Sequence, residues 1–301
     1  MTKFELHIPI TDKESTKSII DILSEQKEIH SLALSKSILK QAITKGALWL
    51  TKGKYTQRLR RIKKKLKTGD ELHFYYNEAI LSQQPTPAKL IADLTDYSIW
   101  YKPYGMLAQG SKWSDHCSIS RWAQTQLTPE RSVFIVHRLD RAATGLIMLA
   151  HTKKAARALS EMFENRTDDN ALEKYYQIIV HGNHNMRLQP DVITQNIDTK
   201  KSRSTFLCQN YHQAQNISLI QVKIDSGRKH QIRLHAKSIG MPVVGDRLHG
   251  LNDIQYAESL HLQLCAYALR FICPLTQEKR NFTLSPEDTP NLIKTAELLS
   301  L

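Results

Sequence analysis

No apolar run in this sequence approaches the roughly 18 residues that a membrane-spanning helix requires. The opening stretch, MTKFELHIPITDKE, has neither an apolar signal core nor an Arg-rich, acid-poor targeting pattern. Cysteine is scarce: Cys117, Cys208, Cys265 and Cys273 are scattered, with no Cys-x-x-Cys pair and no zinc-type cluster. Glycine-rich phosphate loops of the GxGxxG or Walker kind are missing, as are fixed-period repeats and low-complexity tracts. These gaps argue against a membrane protein, a disulfide scaffold, a zinc module and a nucleotide-driven motor. They leave a cytoplasmic protein with reduced thiols as the expectation.

Acidic residues are missing from one region altogether. Between Lys36 and Lys67 there are twelve Lys and Arg and no Asp or Glu, so this segment carries nearly all of the formal net charge of +13. Such a concentration suits a polyanion. The segment also reads as folded. Ser35 is placed to cap a helix whose apolar face is Ile38, Leu39, Ala42 and Ile43, and Gly46 is placed to stop it. A short strand follows at ALWL. After a turn at Gly69-Asp70, Leu72, Phe74 and Tyr76 alternate as in another strand. A solvated basic face without a partner is the plainer alternative. The pattern S-K-S-x-L-K-Q-x-I-x-K-G-A-x-W, with a later K-x-G-D-x-L, resembles the small α-L RNA-binding module of ribosomal S-four type. That resemblance makes Lys36, Lys40, Lys45, Arg58, Arg60 and Arg61 candidate RNA contacts. In place of the module's usual hairpin stands the longer, more basic TKGKYTQRLRRIKKK.

At 301 residues, two domains are the prior. Pro85 and Pro87 mark a linker, which divides the chain into a basic module at 1–80, a linker at 81–95 and a larger domain at 96–301. In the larger domain, strands are expected at 97–102, 132–137, 145–150, 174–181, 203–209, 217–224, 261–265 and 281–284. Helices are expected at 152–165 and 229–240. Strands outnumber helices without strict alternation, which predicts an α+β fold with a mainly antiparallel mixed sheet.

Within it, VFIVHRLDRAATGLIMLA (133–150) places three cations and a carboxylate between two apolar runs. A buried carboxylate needs a cationic partner. An ionised, positioned carboxylate can act as nucleophile or general base, but Asp140 between Arg138 and Arg141 could equally be a salt-bridged turn. A second polar stretch, DSGRKHQIRLHAKSIGMPVVGDRLHG (225–250), is too rich in His and Arg for a core helix. Its His230 and His235, at i and i+5, do not share a face as metal ligands would. In LEKYYQIIVHG (172–182), Tyr175 and Tyr176 alternate, so that one can pack inward while the other faces a cleft.

HRLDRAATGL resembles the His-Arg-Leu-Asp-x-x-Thr-Ser-Gly-Leu signature of RNA pseudouridine synthases of the RluA type. Three further motifs fall in that family's order: YKPYGML (101–107), KYYQIIVHG (174–182) and SGRKHQIRLHAKSIGMPVVGD (226–246). Together they cover about residues 96–285. The resemblance implies that Asp140 attacks the target nucleoside, either at the anomeric carbon or at carbon 6 of the base. It assigns base stacking to Tyr176, pairing with the aspartate to Arg233 and eversion of the nucleotide to Arg138. It adds Lys102, Arg228 and His230 as further RNA contacts. Structured RNA is the implied partner, 23S ribosomal RNA first and tRNA second, for a protein acting as a monomer, and no cofactor or metal is implied, because substrate and product are isomers. A catalytically idle RNA-binding or ribosome-assembly factor is the alternative, and a non-RNA hydrolase a more distant one. Four positions depart from the pattern: Tyr101 for Asn, Ala143-Thr144 for Thr-Ser, and His249 for the Tyr before the last Gly.

Overall fold

The structure is a computed structural model and describes residues 2–164, 172–184, 190–251 and 260–300. Two compact units emerge: residues 1–85 with 109–122, and residues 86–108 with 123–301.

The first unit opens with β1 (Lys3–Pro9), followed by α1 (Asp12–Ser15), α2 (Ile19–Ser24), α3 (Lys27–Ser31) and α4 (Lys36–Thr44). Then come β2 (Leu48–Lys52), β3 (Tyr55–Arg58), β4 (Glu71–Asn77) and α5 (Glu78–Leu81). Its sheet runs in the order β1-β4-β2-β3. Ser35 caps α4 by accepting from the Ile38 amide at 3.3 Å, and Gly46 follows the helix at φ +92°, a conformation that glycine tolerates best. Leu39, Ala42 and Ile43 of α4 pack with Leu48, Leu50, Leu72 and Phe74, so one sheet face is buried and the other turns away from the core.

In the second unit the elements are β5 (Lys89–Asp93), β6 (Tyr97–Lys102), α6 (Ile119–Gln126, shared with the first unit), β7 (Phe134–Ile135), β8 (Thr144–Ala150) and α7 (Lys153–Glu164). They continue with β9 (Glu173–His181), β10 (Asp191–Ile193), β11 (Ser204–His212), β12 (Ile217–Ile224), α8 (Gln231–Ser238), β13 (Leu264–Ile272), β14 (Lys279–Thr283) and α9 (Leu292–Leu299). The sheet has the order β10-β11-β12-β9-β13-β8-β6-β5, with β14 on β13 and β7 on β8. β13 and β8 run parallel and the other pairings are antiparallel. The fold is therefore α+β with a mainly antiparallel mixed sheet. α7 lays Ala155, Leu159 and Met162 on one face, and α9 packs Leu292 and Ala296 against Ile217 and Val244.

Two segments differ from the sequence reading. Lys89–Asp93, expected in the linker, is a strand paired with β6. Residues 109–122, expected within the larger domain, belong to the first unit. There the Trp49 indole donates to the Lys112 carbonyl at 2.9 Å and the Ser114 hydroxyl to the Lys45 carbonyl at 2.7 Å. The expected helix 152–165 begins at Lys153, and its last position, Asn165, lies outside the described residues.

Candidate active site

Asp140 sits where the chain turns into β8. Its carbonyl accepts from the Ala143 amide at 3.1 Å, closing a turn that delivers Thr144 to the strand. The next residue, Gly145, has φ +109°, and a Cβ there would lie 2.3 Å from the Ala266 carbonyl oxygen. Only glycine lets β13 pass this closely. Gly145 pairs with Ala266, and Ala266 with Tyr176, so one row of the sheet links the Asp140 turn to Tyr176.

Tyr176 is buried on the face of β9 that also holds Lys174, whose ammonium approaches Gly227. Tyr175 takes the opposite face, where it meets Tyr267, Lys223 and Arg270.

Arg233 projects from α8 and is almost fully buried. It grips Asp246 in a bidentate pair, Nε to Oδ2 at 2.7 Å and Nη2 to Oδ1 at 2.6 Å. Its Nη1 reaches Asp140 Oδ2 at 3.4 Å. Burial opposes the Arg233 charge, but bonding to Asp246 and the nearby Asp140 outweigh it and raise its pKa. Burial works the other way on Asp246. Arg233 and the amides of His249 and Leu248 still hold its carboxyl below the ordinary range. Sequence reasoning missed Asp246 as a partner, although it closes the last motif.

His230 precedes α8 in a left-handed conformation, φ 55°, which turns its ring toward the site. Its Nε2 lies 3.8 Å from Asp140 Oδ2 and its Nδ1 2.8 Å from His249 Nε2. Burial lowers both imidazole pKa values, with Asp140 opposing the shift at His230. His235 points elsewhere, to the hydroxyls of Ser202 and Ser204, so it and His230 do not converge on one point. Buried Gln231 fixes the preceding loop. Its amide nitrogen donates to the Arg203 carbonyl and the Ser204 hydroxyl, while its oxygen accepts from Ser226 and the Arg228 amide.

Lys102 corrects an expectation. Assigned to RNA, it is instead fully buried, with Nζ donating to the carbonyls of Pro103 at 3.1 Å, Met106 at 2.9 Å and Arg141 at 3.3 Å. Burial pushes its pKa down to about 7 against the pull of Asp140. It ties the loop after β6 to the residue following Asp140. Arg141 reinforces the tie through Gly105, with its carbonyl accepting and its Nε donating.

His137 is partly buried and bonds within the fold. Its Nε2 accepts from the Met148 amide at 2.9 Å, and its ring stacks on Phe163 at 4.2 Å. Burial, aided by the Lys174 charge, pushes its pKa down to about 3. Arg138 and Arg228 are exposed, the latter with Nε on the Lys201 carbonyl. The departures from the motif also find places. Ala143 is buried, and the Thr144 hydroxyl donates to the Leu264 carbonyl at 3.4 Å.

The basic candidates of the first unit split into two groups. Arg58 and Arg60 both pair with Asp115, and Arg58 also lies 4.2 Å over the Trp49 ring. Lys45 donates to the Leu81 carbonyl at 2.6 Å, and Lys36 pairs with Asp21 at 2.7 Å. Lys40 and Arg61 are exposed, as are Lys63, Lys64, Lys65 and Lys67. Arg58 and Arg60, expected as RNA contacts, share one acid from outside the basic segment, Asp115.

A profile described as RNA pseudouridylate synthase matches residues 96–238. The tRNA pseudouridine synthase C of Vibrio parahaemolyticus is 28% identical over 62% of this chain and 86% of its own. The ribosomal large subunit pseudouridine synthase D of Zymomonas mobilis is 28% identical over 53% of this chain and 55% of its own. Among solved structures, human RNA pseudouridylate synthase domain containing 4 shares the fold at a TM-score of 0.52 and 18% identity, over 70% of this chain and 93% of that one. The tRNA pseudouridine synthase C of Haemophilus ducreyi is 31% identical over 59% of this chain and 82% of its own, and the chain belongs to the family of RNA pseudouridine synthases of the RluA type.

Proposed function

We propose that the chain isomerises specific uridines to pseudouridine in structured RNA with Asp140 as its nucleophile. The observation that carries the reading is the half-exposed carboxylate of Asp140 held 3.4 Å from buried Arg233. The carboxylate adds to the anomeric carbon or to carbon 6 of the base, and the bond from base nitrogen to sugar breaks. The base turns, carbon 5 bonds to the sugar, and the bond to Asp140 breaks to return the carboxylate, while the proton on carbon 5 leaves and the freed nitrogen takes one up. Substrate and product are isomers, so this balance needs no redox partner. Tyr176 stacks on the base. Exposed Arg138 takes the place of the nucleotide everted from the RNA, while Arg228 and His230 hold its backbone.

The α-L-like unit docks on RNA backbone through its exposed cations. We place 23S ribosomal RNA first, acted on by a monomer in the cytoplasm. tRNA is the second reading, supported by the name of the Vibrio relative. An idle assembly factor is disfavoured by the presence of Asp140, Tyr176 and Arg233 together.

The test is pseudouridine mapping of total RNA from cells carrying the wild-type gene, Asp140→Asn or a deletion. One or more sites should vanish in the last two and name the substrate, while purified Asp140→Asn still binds that RNA. An active Asp140→Asn enzyme would remove the nucleophile assignment.

A further inference from the structure

The outward face of the four-stranded sheet holds a cluster that the isomerisation does not use. His7 on β1 stands directly opposite His73 on β4, and Glu71 lies two residues before His73 on the same face. The two imidazoles meet at 2.7 Å, Nδ1 to Nδ1, and a Glu71 oxygen lies 3.8 Å from His73 Nε2. One ligand atom from each residue falls within 4.8 Å of the others, the one such group among the described residues.

We propose that His7, Glu71 and His73 bind a zinc-class divalent cation. At this distance either one ring donates an Nδ1–H to the other, or a metal ion takes that proton's place between the two nitrogens. The hydroxyl chain beside them prepares His73 for the metal. Thr51 Oγ1 lies 2.7 Å from both Thr56 Oγ1 and His73 Nε2. With Thr51 donating to Thr56, it accepts from His73 Nε2–H, which leaves the Nδ1 lone pair directed at His7. A hydrogen bond to the outer ring nitrogen is what orients metal-bound histidines generally.

Two imidazole nitrogens and one carboxylate oxygen suit Zn2+ rather than Mg2+, which prefers oxygen ligands alone. Tetrahedral ligands about 2.0–2.1 Å from zinc stand about 3.3 Å apart, so the two rings need to separate only slightly. The side chain of His7 is about half exposed, at 49%, on an edge strand, which provides both an entry path and room to adjust. Nearby cations are already engaged: Lys112 pairs with Glu5 at 2.6 Å, and Lys3 lies over the Trp113 ring. The bound ion would clip β1 to β4 and close the sheet edge.

Titration calorimetry of tag-free full-length protein tests this, with ZnCl2 and separately with MgCl2 at pH 7.5. One Zn2+ site should appear that weakens at least about tenfold in His7→Ala and in His73→Gln, and by a smaller factor in Glu71→Gln. The exposed His30→Ala should leave it unchanged, and Mg2+ should give no binding heat. Zn2+ should also raise the melting temperature of the wild type but not that of His7→Ala, whose exposed position preserves folding should His73→Gln unfold. Absence of Zn2+ binding to the wild type, or binding to His7→Ala as tight as to the wild type, overturns the site and leaves the pair as a shared-proton hydrogen bond.

Discussion

Arg233 gives Asp246 two hydrogen bonds, at 2.7 and 2.6 Å, and meets Asp140 only at 3.4 Å. Asp246 thus anchors the guanidinium, and one nitrogen remains for the proposed nucleophile. Removing one partner of a buried ion pair costs about 3–5 kcal/mol. Asp246→Ala should therefore lower stability by roughly that amount and reduce single-turnover pseudouridine formation. Asp246→Asn keeps the shape but not the charge and should be the milder change. Because the Asp246 carboxyl is held below its ordinary range, its contribution to stability is present above about pH 4. It is lost as the pH falls through the folded-state value. Denaturant titrations from pH 7 to pH 3 should show Asp246→Asn losing less stability on acidification than the wild type.

His137 makes a separate pH prediction. Its imidazole is pushed down to about 3 in the fold, while an unfolded histidine titrates near 6.5. At pH 7 both states are neutral and the site contributes no pH dependence. Between about 6.5 and 3 the unfolded chain takes up a proton that the folded chain refuses. Stability should fall by up to about 1.4 kcal/mol per pH unit across that window. In His137→Gln the amide carbonyl can accept from the Met148 amide, so the slope should flatten while the fold persists. Unfolding free energies at pH 7, 6 and 5 for both proteins decide it, and equal slopes would count against a buried neutral imidazole.

Gly145→Ala tests the junction beneath the proposed nucleophile. The new Cβ would stand 2.3 Å from the Ala266 carbonyl oxygen at a φ of +109°. Backbone strain of this kind costs about 1–3 kcal/mol before the steric clash is added. The melting temperature should drop, and activity should fall further than the loss of folded protein explains, because β8 can relax only by moving the Asp140 turn. Wild-type stability and turnover in this variant would show that the turn tolerates displacement.

Much of this arrangement was legible in local sequence. The helix after Ser35, the turn at Gly69-Asp70, the alternation of β4 and the strand entered after Asp140 all have short-range causes. β5 was hidden because KLIAD is a short edge strand beside two prolines, and its pairing to β6 is what orders it. Asp246 was visible as the end of a motif but not as the partner of Arg233, because that contact depends on the path of the chain between α8 and β13. The placement of residues 109–122 follows from Asp115 meeting Arg58 and Arg60, more than fifty residues away. For the same reason the basic stretch looked wholly unopposed: the acids that pair with it, Asp21, Asp70 and Asp115, lie outside it.

That division of the basic residues gives the last prediction. Arg58 and Arg60 are paired internally, whereas Lys40, Arg61, Lys63, Lys64 and Lys65 are exposed. A phosphate contact releases counterions, and each contributes about 0.7–0.9 to the slope of log affinity against log salt. Replacing the five exposed residues with Ala should weaken RNA binding at low salt and flatten that slope by up to about 0.7–0.9 per replaced contact. The melting temperature should hardly change, since surface substitutions of this kind stay within about 0.5 kcal/mol. Arg60→Ala should do the reverse, lowering stability by leaving Asp115 with Arg58 as its remaining partner, while leaving the salt slope nearly intact. Binding titrations at several salt concentrations, paired with thermal melts, separate the two groups. If Arg60→Ala flattened the slope as much as the exposed set did, the internal pairing with Asp115 would not persist in the RNA complex.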